Sequence, residues 1–112
     1  MHGVAVGADR RRSAGRLHRF AIAAHPADTT WRPAGEQAER CLENLRAICE
    51  AAGTTLEHAA RVTVYMTDLS AFAEVNEVYA RFFPGEPPAR VTIGVAALPR
   101  GAQVEIDAIV GG

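Results

Sequence analysis

The sequence predicts a two-layer α+β sandwich, in which a mixed sheet carries two helices on one face in the chain order β-β-α-β-α-β-β. Two stretches have helical periodicity with a single apolar stripe each, and they alternate with stretches of strand character. A helix of this kind must bury its stripe, and one sheet can cover both stripes from the same side. The 112 residues, of which 48% are hydrophobic and 22% charged, suit one globular domain spanning residues 1–112.

The opening third of the chain predicts a hairpin followed by a loop. The stretches HGVAV and RLHRFAIAAH are short and largely apolar, and the polar GADRRRSAG between them predicts the turn that joins two strands. The next stretch, PADTTWRPAG, contains prolines and threonines without periodicity, which is typical of a loop.

The two helices have the strongest patterns in the sequence. From Glu36 onward apolar residues recur at intervals of three and four, and Gly53 provides a stop, which predicts a helix of about five turns. The second helix follows Ser70, a candidate N-cap residue, and the stretch PGEPP ends it. The apolar stripes consist of Ala38, Cys41, Leu42, Leu45, Ile48, Cys49 and Ala52 in the first helix and of Phe72, Val75, Tyr79, Phe82 and Phe83 in the second.

Strand character returns between the helices and at the end of the chain. The stretch ARVTVYMTD alternates apolar and polar residues, which predicts a half-buried strand. Residues 86–110 predict a closing hairpin that turns at Leu98-Pro99-Arg100-Gly101 and pairs Gly94 with Glu105. In that register Arg90 and Glu105 share one face of the sheet, about 13 Å apart along the strands.

We expect the sheet face away from the helices to pack against other subunits. By alternation this face carries mainly polar side chains, with Ile109 as the apolar exception. A mixed polar and aromatic face on so small a chain is typical of an oligomer with binding sites between protomers. The polar members predicted for this face are Thr63, Tyr65, Thr67, Thr92, Gln103 and Glu105.

The composition excludes several kinds of chemistry. The chain has no lysine, so Schiff-base catalysis, lysine-anchored pyridoxal phosphate and P-loop phosphate binding lack their essential amine. The histidines have no metal-ligand spacing, so no metal is expected. Cys41 and Cys49 are about 12 Å apart along one helix, too far for a disulfide, and are predicted to be core residues.

The charge and hydropathy of the chain indicate where it works. The net charge of −1 gives no reason to expect nucleic acid as a partner. No stretch approaches the roughly 20 apolar residues of a membrane span, and charged residues stand where a signal peptide needs an apolar segment. A cytoplasmic protein without membrane contact is therefore expected.

Three side chains of the closing strands could bind and hydrolyse a small anion. Arg90 presents a fixed fork of donors that suits a carboxylate, Thr92 can donate a hydrogen bond beside it, and Glu105 can orient or deprotonate water. Asn76 lies on the stripe of the second helix, where its amide must find partners, either in a site or by capping a nearby loop. An arginine after two prolines and a glutamate in a strand are also common at exposed positions, so spacing alone leaves the site open.

Several ordered motifs in residues 41–110 go beyond spacing. They are LENL followed by AAG, then VYMTDLSAFAEVNEVY, then PPAR with a threonine two residues later, and finally LPRGAQVEIDAI. Together they closely resemble the RidA family, also called the YjgF family. The match is specific because the motifs occur in one order over most of the chain.

The resemblance implies a chorismate-mutase-like fold that forms a homotrimer with clefts between adjacent subunits. It further implies hydrolysis of reactive enamines and imines such as 2-aminoacrylate to 2-keto acids and ammonia, without a cofactor or metal. In this family an arginine at the position of Arg90 holds the substrate carboxylate, and a glutamate at the position of Glu105 is associated with the attacking water. Thr92 stands where the family has cysteine or threonine, and Asn76 matches the asparagine of the VN motif.

The first third of the chain departs from the family pattern. The Gly-Pro-Tyr-Ser segment is missing, and Ile22, Ala23 and Ala24 stand where relatives have Ser-Gly-Gln. No spacing assigns a role to His18 or His25. A non-catalytic trimer that binds a small ligand in a remodelled cleft is therefore the alternative hypothesis, and ribonuclease activity is disfavoured by the near-neutral charge.

Overall fold

The computed structural model describes residues 3–6 and 19–111, which form a mixed five-stranded sheet and two α-helices. The predicted turn in residues 7–15 and the start of the predicted second strand, including His18, lie outside the described residues. The strands are β1 (Gly3–Val6), β2 (Arg19–Ala24), β3 (Ala59–Met66), β4 (Ala89–Gly94) and β5 (Val104–Gly111), and the helices are α1 (Ala34–Ala51) and α2 (Phe72–Phe82). The predicted α+β architecture and element order are confirmed.

The sheet has the strand order β1-β2-β5-β3-β4. The opening strands β1 and β2 pair antiparallel as predicted. The predicted closing hairpin is wrong, because β3 lies between β4 and β5 and pairs with both. Strand β4 is parallel to β3, which is the geometry of a strand–helix–strand unit whose crossover is α2. The connection between β4 and β5 therefore has to pass the end of β3, to which it is tied by hydrogen bonds from Val95 N–H to Met66 O and from Thr67 N–H to Gln103 O.

This register corrects the predicted faces of two site residues. Arg90 lies beside Val62 and Thr92 beside Val64, so both point to the helix face, the sheet face that α1 and α2 cover. Glu105 lies beside Tyr65 on the opposite, open face, so it does not share a face with Arg90. The alternation of side chains within each strand was predicted correctly. Because β3 lies between β4 and β5, however, the residues of β4 and β5 that were predicted to share a face lie on opposite faces of the sheet.

The core lies between the helix face and the two helices. Both cysteines are free and buried as predicted, and desolvation raises the pKa of both thiols, that of Cys49 to about 11. None of the described helices combines the length and apolar character that a bilayer crossing requires. The largest wholly buried side chains include Ile22, Leu42, Leu45, Val62, Val64, Met66, Val75, Val104, Ile106 and Val110.

The predicted end of α1 is present in the structure, whereas the predicted N-cap of α2 is wrong. Helix α1 ends as predicted at Gly53, whose φ of 84° lets Thr54 N–H reach Cys49 O at 2.9 Å. Ser70 is not the cap of α2. Instead, Asp68 begins a single 3₁₀ turn before the helix and accepts hydrogen bonds from Ser70 N–H at 3.0 Å and Ser70 Oγ at 2.7 Å.

Gln37 is a fully buried side chain whose amide joins three parts of the chain. Its Nε2 donates to Thr30 O at 3.1 Å and to Arg32 O at 2.7 Å, and its Oε1 accepts from Gln103 N–H at 2.8 Å. We expect Gln37→Leu to lower the free energy of unfolding by about 2–4 kcal/mol, because it leaves these backbone groups without partners. Urea unfolding followed by circular dichroism measures the change.

Gln103→Leu is the matched control for this substitution. The hydrogen bond to Gln37 uses the backbone of Gln103, so replacing its side chain leaves the bond in place and is expected to change stability by less than about 0.5 kcal/mol. Equal losses in the two variants would contradict the assigned role of the Gln37 amide.

Candidate active site

Arg90 extends from the edge strand β4 along the side of α2. Its side chain is half-buried, and its guanidinium carbon lies 4.5 Å from the ring centroid of Tyr79 and 5.5 Å from that of Phe72. Among residues 19–111 no carboxylate forms an ion pair with Arg90. The planar edge of the guanidinium, which carries the N–H donors, is thus not neutralised by an acidic side chain of the described protomer.

A pocket of about 430 Å³ opens beside this guanidinium, between α2, the loop after it and β4. It brings Arg90 together with the half-buried Asn76. The rest of the wall is mostly apolar. A cation and an amide in an apolar wall suit a small anion that also has a carbon skeleton. The lining residues are Asn76, Tyr79, Ala80, Phe83, Gly85, Pro87, Pro88 and Arg90.

Thr92 lies two residues beyond Arg90 on the same face of β4, but it does not line this pocket. The end of the strand is tightly packed at Gly94, where an added Cβ would lie 3.1 Å from Leu69 Cδ1. Thr92 therefore lies on the strand between the residue that lines the pocket and this packed end.

Glu105 lies on the open face of β5 and is half-buried. Its Oε1 is buried and has no hydrogen-bond partner among the described residues. Desolvating a carboxylate oxygen without a donor is unfavourable, so this atom is suited to accept a hydrogen bond from a group outside the protomer. The neighbouring Tyr65 is engaged elsewhere, since its hydroxyl donates to Asp107 Oδ2 at 2.7 Å and this bond raises the pKa of Tyr65.

His25 has a structural position. Its Nδ1 accepts from Ala27 N–H at 3.0 Å, so Nε2 carries the proton and donates to Pro99 O at 2.7 Å. The ring thus ties the loop after β2 to the connection between β4 and β5. Within residues 3–6 and 19–111, no group of three or more histidine, cysteine or acidic side chains is arranged to hold a metal.

Two aromatic residues at the site were interpreted from the sequence as core residues only. Phe72 and Tyr79 belong to the predicted stripe of α2, but both contact the guanidinium of Arg90. The signal that could have found them is their spacing from Asn76. Residues 72, 76 and 79 are separated by four and three positions, which places them along one side of a helix.

Sequence comparison finds one matching family and curated relatives. Residues 22–111 match the model of the Ribonuc_L-PSP family, described as Endoribonuclease L-PSP. Protein DfrA of Myxococcus xanthus is 59% identical over 73 residues, which are 65% of this chain and 56% of that protein. A mouse protein named 2-iminobutanoate/2-iminopropanoate deaminase is 46% identical over 74 residues, which are 66% of this chain and 55% of that protein. The matched region thus spans little more than half the length of these relatives.

Comparison with solved structures extends the similarity to nearly the whole chain. RidA from an Antarctic Psychrobacter species has 36% sequence identity and a TM-score of 0.77, and the match covers 97% of this chain and 92% of that chain. Similarity of this extent includes the mixed sheet and both helices. Because the fold, the family model and the ordered motifs agree, the protein belongs to the RidA (YjgF) family.

Proposed function

We propose that this protein hydrolyses reactive 2-imino acids and their enamine forms, such as 2-aminoacrylate, to 2-keto acids and ammonia. The observation that carries the proposal is Arg90, which faces a pocket shared with Asn76 and has no carboxylate partner among the described residues. Family membership and the name of the mouse relative support the same reaction class.

Arg90 would hold the carboxylate that all these substrates share. A guanidinium binds a carboxylate through two parallel hydrogen bonds, which fix the orientation of the ligand as well as its position. The amide of Asn76 and the hydroxyl of Thr92 would supply further polar contacts. The substrate carbon skeleton would lie against the apolar part of the pocket wall.

Glu105 would act on the water. Its carboxylate takes a proton as the water oxygen bonds to the imine carbon, and the electron pair of the C=N bond moves to nitrogen. The same carboxyl group returns that proton to nitrogen, which gives the carbinolamine. It would then carry the hydroxyl proton to nitrogen, so that the C–N bond breaks, ammonia leaves and the C=O bond of the keto acid forms. One water is consumed for each ammonia released, and an enamine enters the sequence after protonation of its terminal carbon.

The two halves of this site belong to opposite faces of the sheet, so a site that uses both requires two protomers. Arg90 of one protomer would meet Glu105 of the next, which would complete the site between subunits. The open face fits such packing because it exposes the large apolar side chains Val91, Ile93 and Ile109, by 39%, 40% and 36%. A cyclic homotrimer would contain three equivalent clefts of this kind.

The charge pattern favours a small substrate over RNA, in spite of the endoribonuclease description of the family. The solvent side of α1 carries more acidic than basic residues, including Glu36, Glu39, Arg40 and Glu43. A surface that follows a phosphate backbone needs clustered cations with interleaved aromatic residues.

The test is a turnover assay on freshly generated imine. A pyridoxal-phosphate-dependent dehydratase releases 2-aminoacrylate from serine, semicarbazide traps the surviving imine, and the trapped fraction reports its lifetime. We expect micromolar protein to accelerate hydrolysis at least about tenfold over the spontaneous rate, because positioning and acid–base assistance both act on a carbon that is already electrophilic. Binding of 2-ketobutyrate without acceleration would instead support the non-catalytic alternative.

A further inference from the structure

We infer that Tyr79 is a positioning residue for Arg90. The ring of Tyr79, assisted by that of Phe72, holds the guanidinium by its face and leaves the N–H edge directed to a carboxylate. The carboxylate ligand rests on the proposed function, whereas the stacking itself is a property of this chain.

The structure makes Tyr79 a fixed platform. The residue is 4% exposed, and its ring centroid lies 4.7 Å from that of Phe83 at an interplanar angle of 34°. The guanidinium carbon of Arg90 lies 4.5 Å from the Tyr79 centroid, which is within the range of a cation–π contact. A long arginine side chain on an edge strand would otherwise sample many rotamers, so a buried ring reduces the entropy lost when a ligand binds.

The contact is made by the ring rather than the hydroxyl. Burial raises the pKa of Tyr79, and the nearby charge of Arg90 opposes this effect only in part, so the phenol is neutral at physiological pH. Its hydroxyl has no hydrogen-bond partner among the described residues. A neutral ring attracts the guanidinium through the π face, and this interaction does not use the donors that bind a carboxylate.

Other arginine–aromatic contacts in the described chain lie over less buried rings. Arg46 lies 4.9 Å from the ring of Phe82, which is only half-buried. Arg32 lies 4.7 Å from the ring of Trp31, which is 75% exposed, and Arg32 also pairs with Glu36. The Tyr79–Arg90 contact combines a buried ring, a pocket and a cation without an acidic partner within residues 19–111. These three properties together are what a preorganised anion-binding arginine requires.

Two substitutions separate the ring from the hydroxyl. Tyr79→Leu removes the ring and is expected to weaken 2-ketobutyrate binding about tenfold, measured as Kd by calorimetry. Tyr79→Phe keeps the ring and is expected to recover most of that affinity. Phe20→Leu is the control for loss of a partly buried aromatic ring elsewhere, since Phe20 packs against the core from β2. Equal weakening in all three variants, or in the two Tyr79 variants, would overturn the inference.

An NMR signal reports the stacking without reference to activity. In protein labelled at arginine, the Hε proton of Arg90 is expected to lie upfield because it is held over aromatic rings. It should move downfield in Tyr79→Leu but not in Phe20→Leu. An unchanged Hε shift in Tyr79→Leu would show that the ring does not hold the guanidinium.

A double-mutant cycle distinguishes positioning from general loss of structure. In an Arg90→Lys background, where the planar guanidinium is absent, Tyr79→Leu is expected to change Kd by less than about twofold. The same tenfold loss in both backgrounds would mean that Tyr79 acts on the fold rather than on Arg90.

The failure of this inference and the failure of the proposed function give different results. If the variants show the predicted Kd values and Hε shifts but wild-type protein shows no turnover, the proposed function fails and the inference stands. If turnover occurs while Tyr79→Leu leaves both signals unchanged, the inference alone fails.

Discussion

Arg90→Ala is expected to lower kcat/KM for imine hydrolysis by about 100- to 1,000-fold. In the proposed mechanism the substitution removes a bidentate, charge-assisted contact to the substrate carboxylate in a half-buried site, where each such hydrogen bond is stronger than at the surface. The loss should appear in KM and in kcat, because the same contact both binds the substrate and aligns its imine carbon with the water. The semicarbazide competition assay measures it directly.

Arg46→Ala is the matched control for this experiment. The guanidinium of Arg46 also lies over an aromatic ring, 4.9 Å from Phe82, but Arg46 does not line the pocket at Arg90. We expect this variant to retain activity within about twofold of wild type, as for a surface substitution outside the site. Equal rates for Arg90→Ala and wild type would refute the assignment of Arg90.

The sequence was sufficient for the elements of the fold because their signals are local. The three- and four-residue periodicity that predicts α1 and the strict alternation of β3 are set by burial of one side, and both are present in the structure. The stop at Gly53 was also predictable, because a positive φ is a local property that glycine tolerates.

Strand order was not predictable in the same way. Two apolar strands separated by a short connection with a turn sequence favour a hairpin, yet β4 and β5 each pair with β3. The choice depends on non-local burial: β3 has three wholly or almost wholly buried residues, Val62, Val64 and Met66, and it occupies the interior of the sheet with a partner on each side. No pattern within residues 86–110 contains that information.

The position of β3 between β4 and β5 also decides which of the predicted site residues lie close together. Arg90 and Asn76 line one pocket because β4 and α2 are joined by a short loop, so their proximity was accessible from sequence. The relation of Arg90 to Glu105 depends on how β4 and β5 are registered on β3, which turns one of the two side chains to the other face. The site that the sequence predicted within one hairpin is therefore proposed as a site that two protomers complete.

Mixing two inactive variants is expected to restore activity. Arg90→Ala and Glu105→Gln each remove one half of the proposed cleft, and Glu105→Gln keeps the shape of the side chain while removing its basicity. When equal amounts are unfolded together and refolded, a cleft is intact wherever a subunit that retains Arg90 faces a subunit that retains Glu105. Random assembly into cyclic trimers makes this true of about one quarter of the clefts, so about one quarter of the wild-type rate should return.

Arg90 and Glu105 lie on opposite faces of the sheet, so recovery of activity in the mixture distinguishes a cleft shared by two protomers from a site within one protomer. If one protomer supplied both groups, every cleft in the mixture would still lack one of them, and no activity would return in any proportion of the two variants. Arg90→Ala refolded with the double variant Arg90→Ala/Glu105→Gln is the control, since no subunit then retains the guanidinium. Sedimentation of the mixture establishes that assembly has occurred, so inactive trimers would count against a shared cleft rather than against refolding.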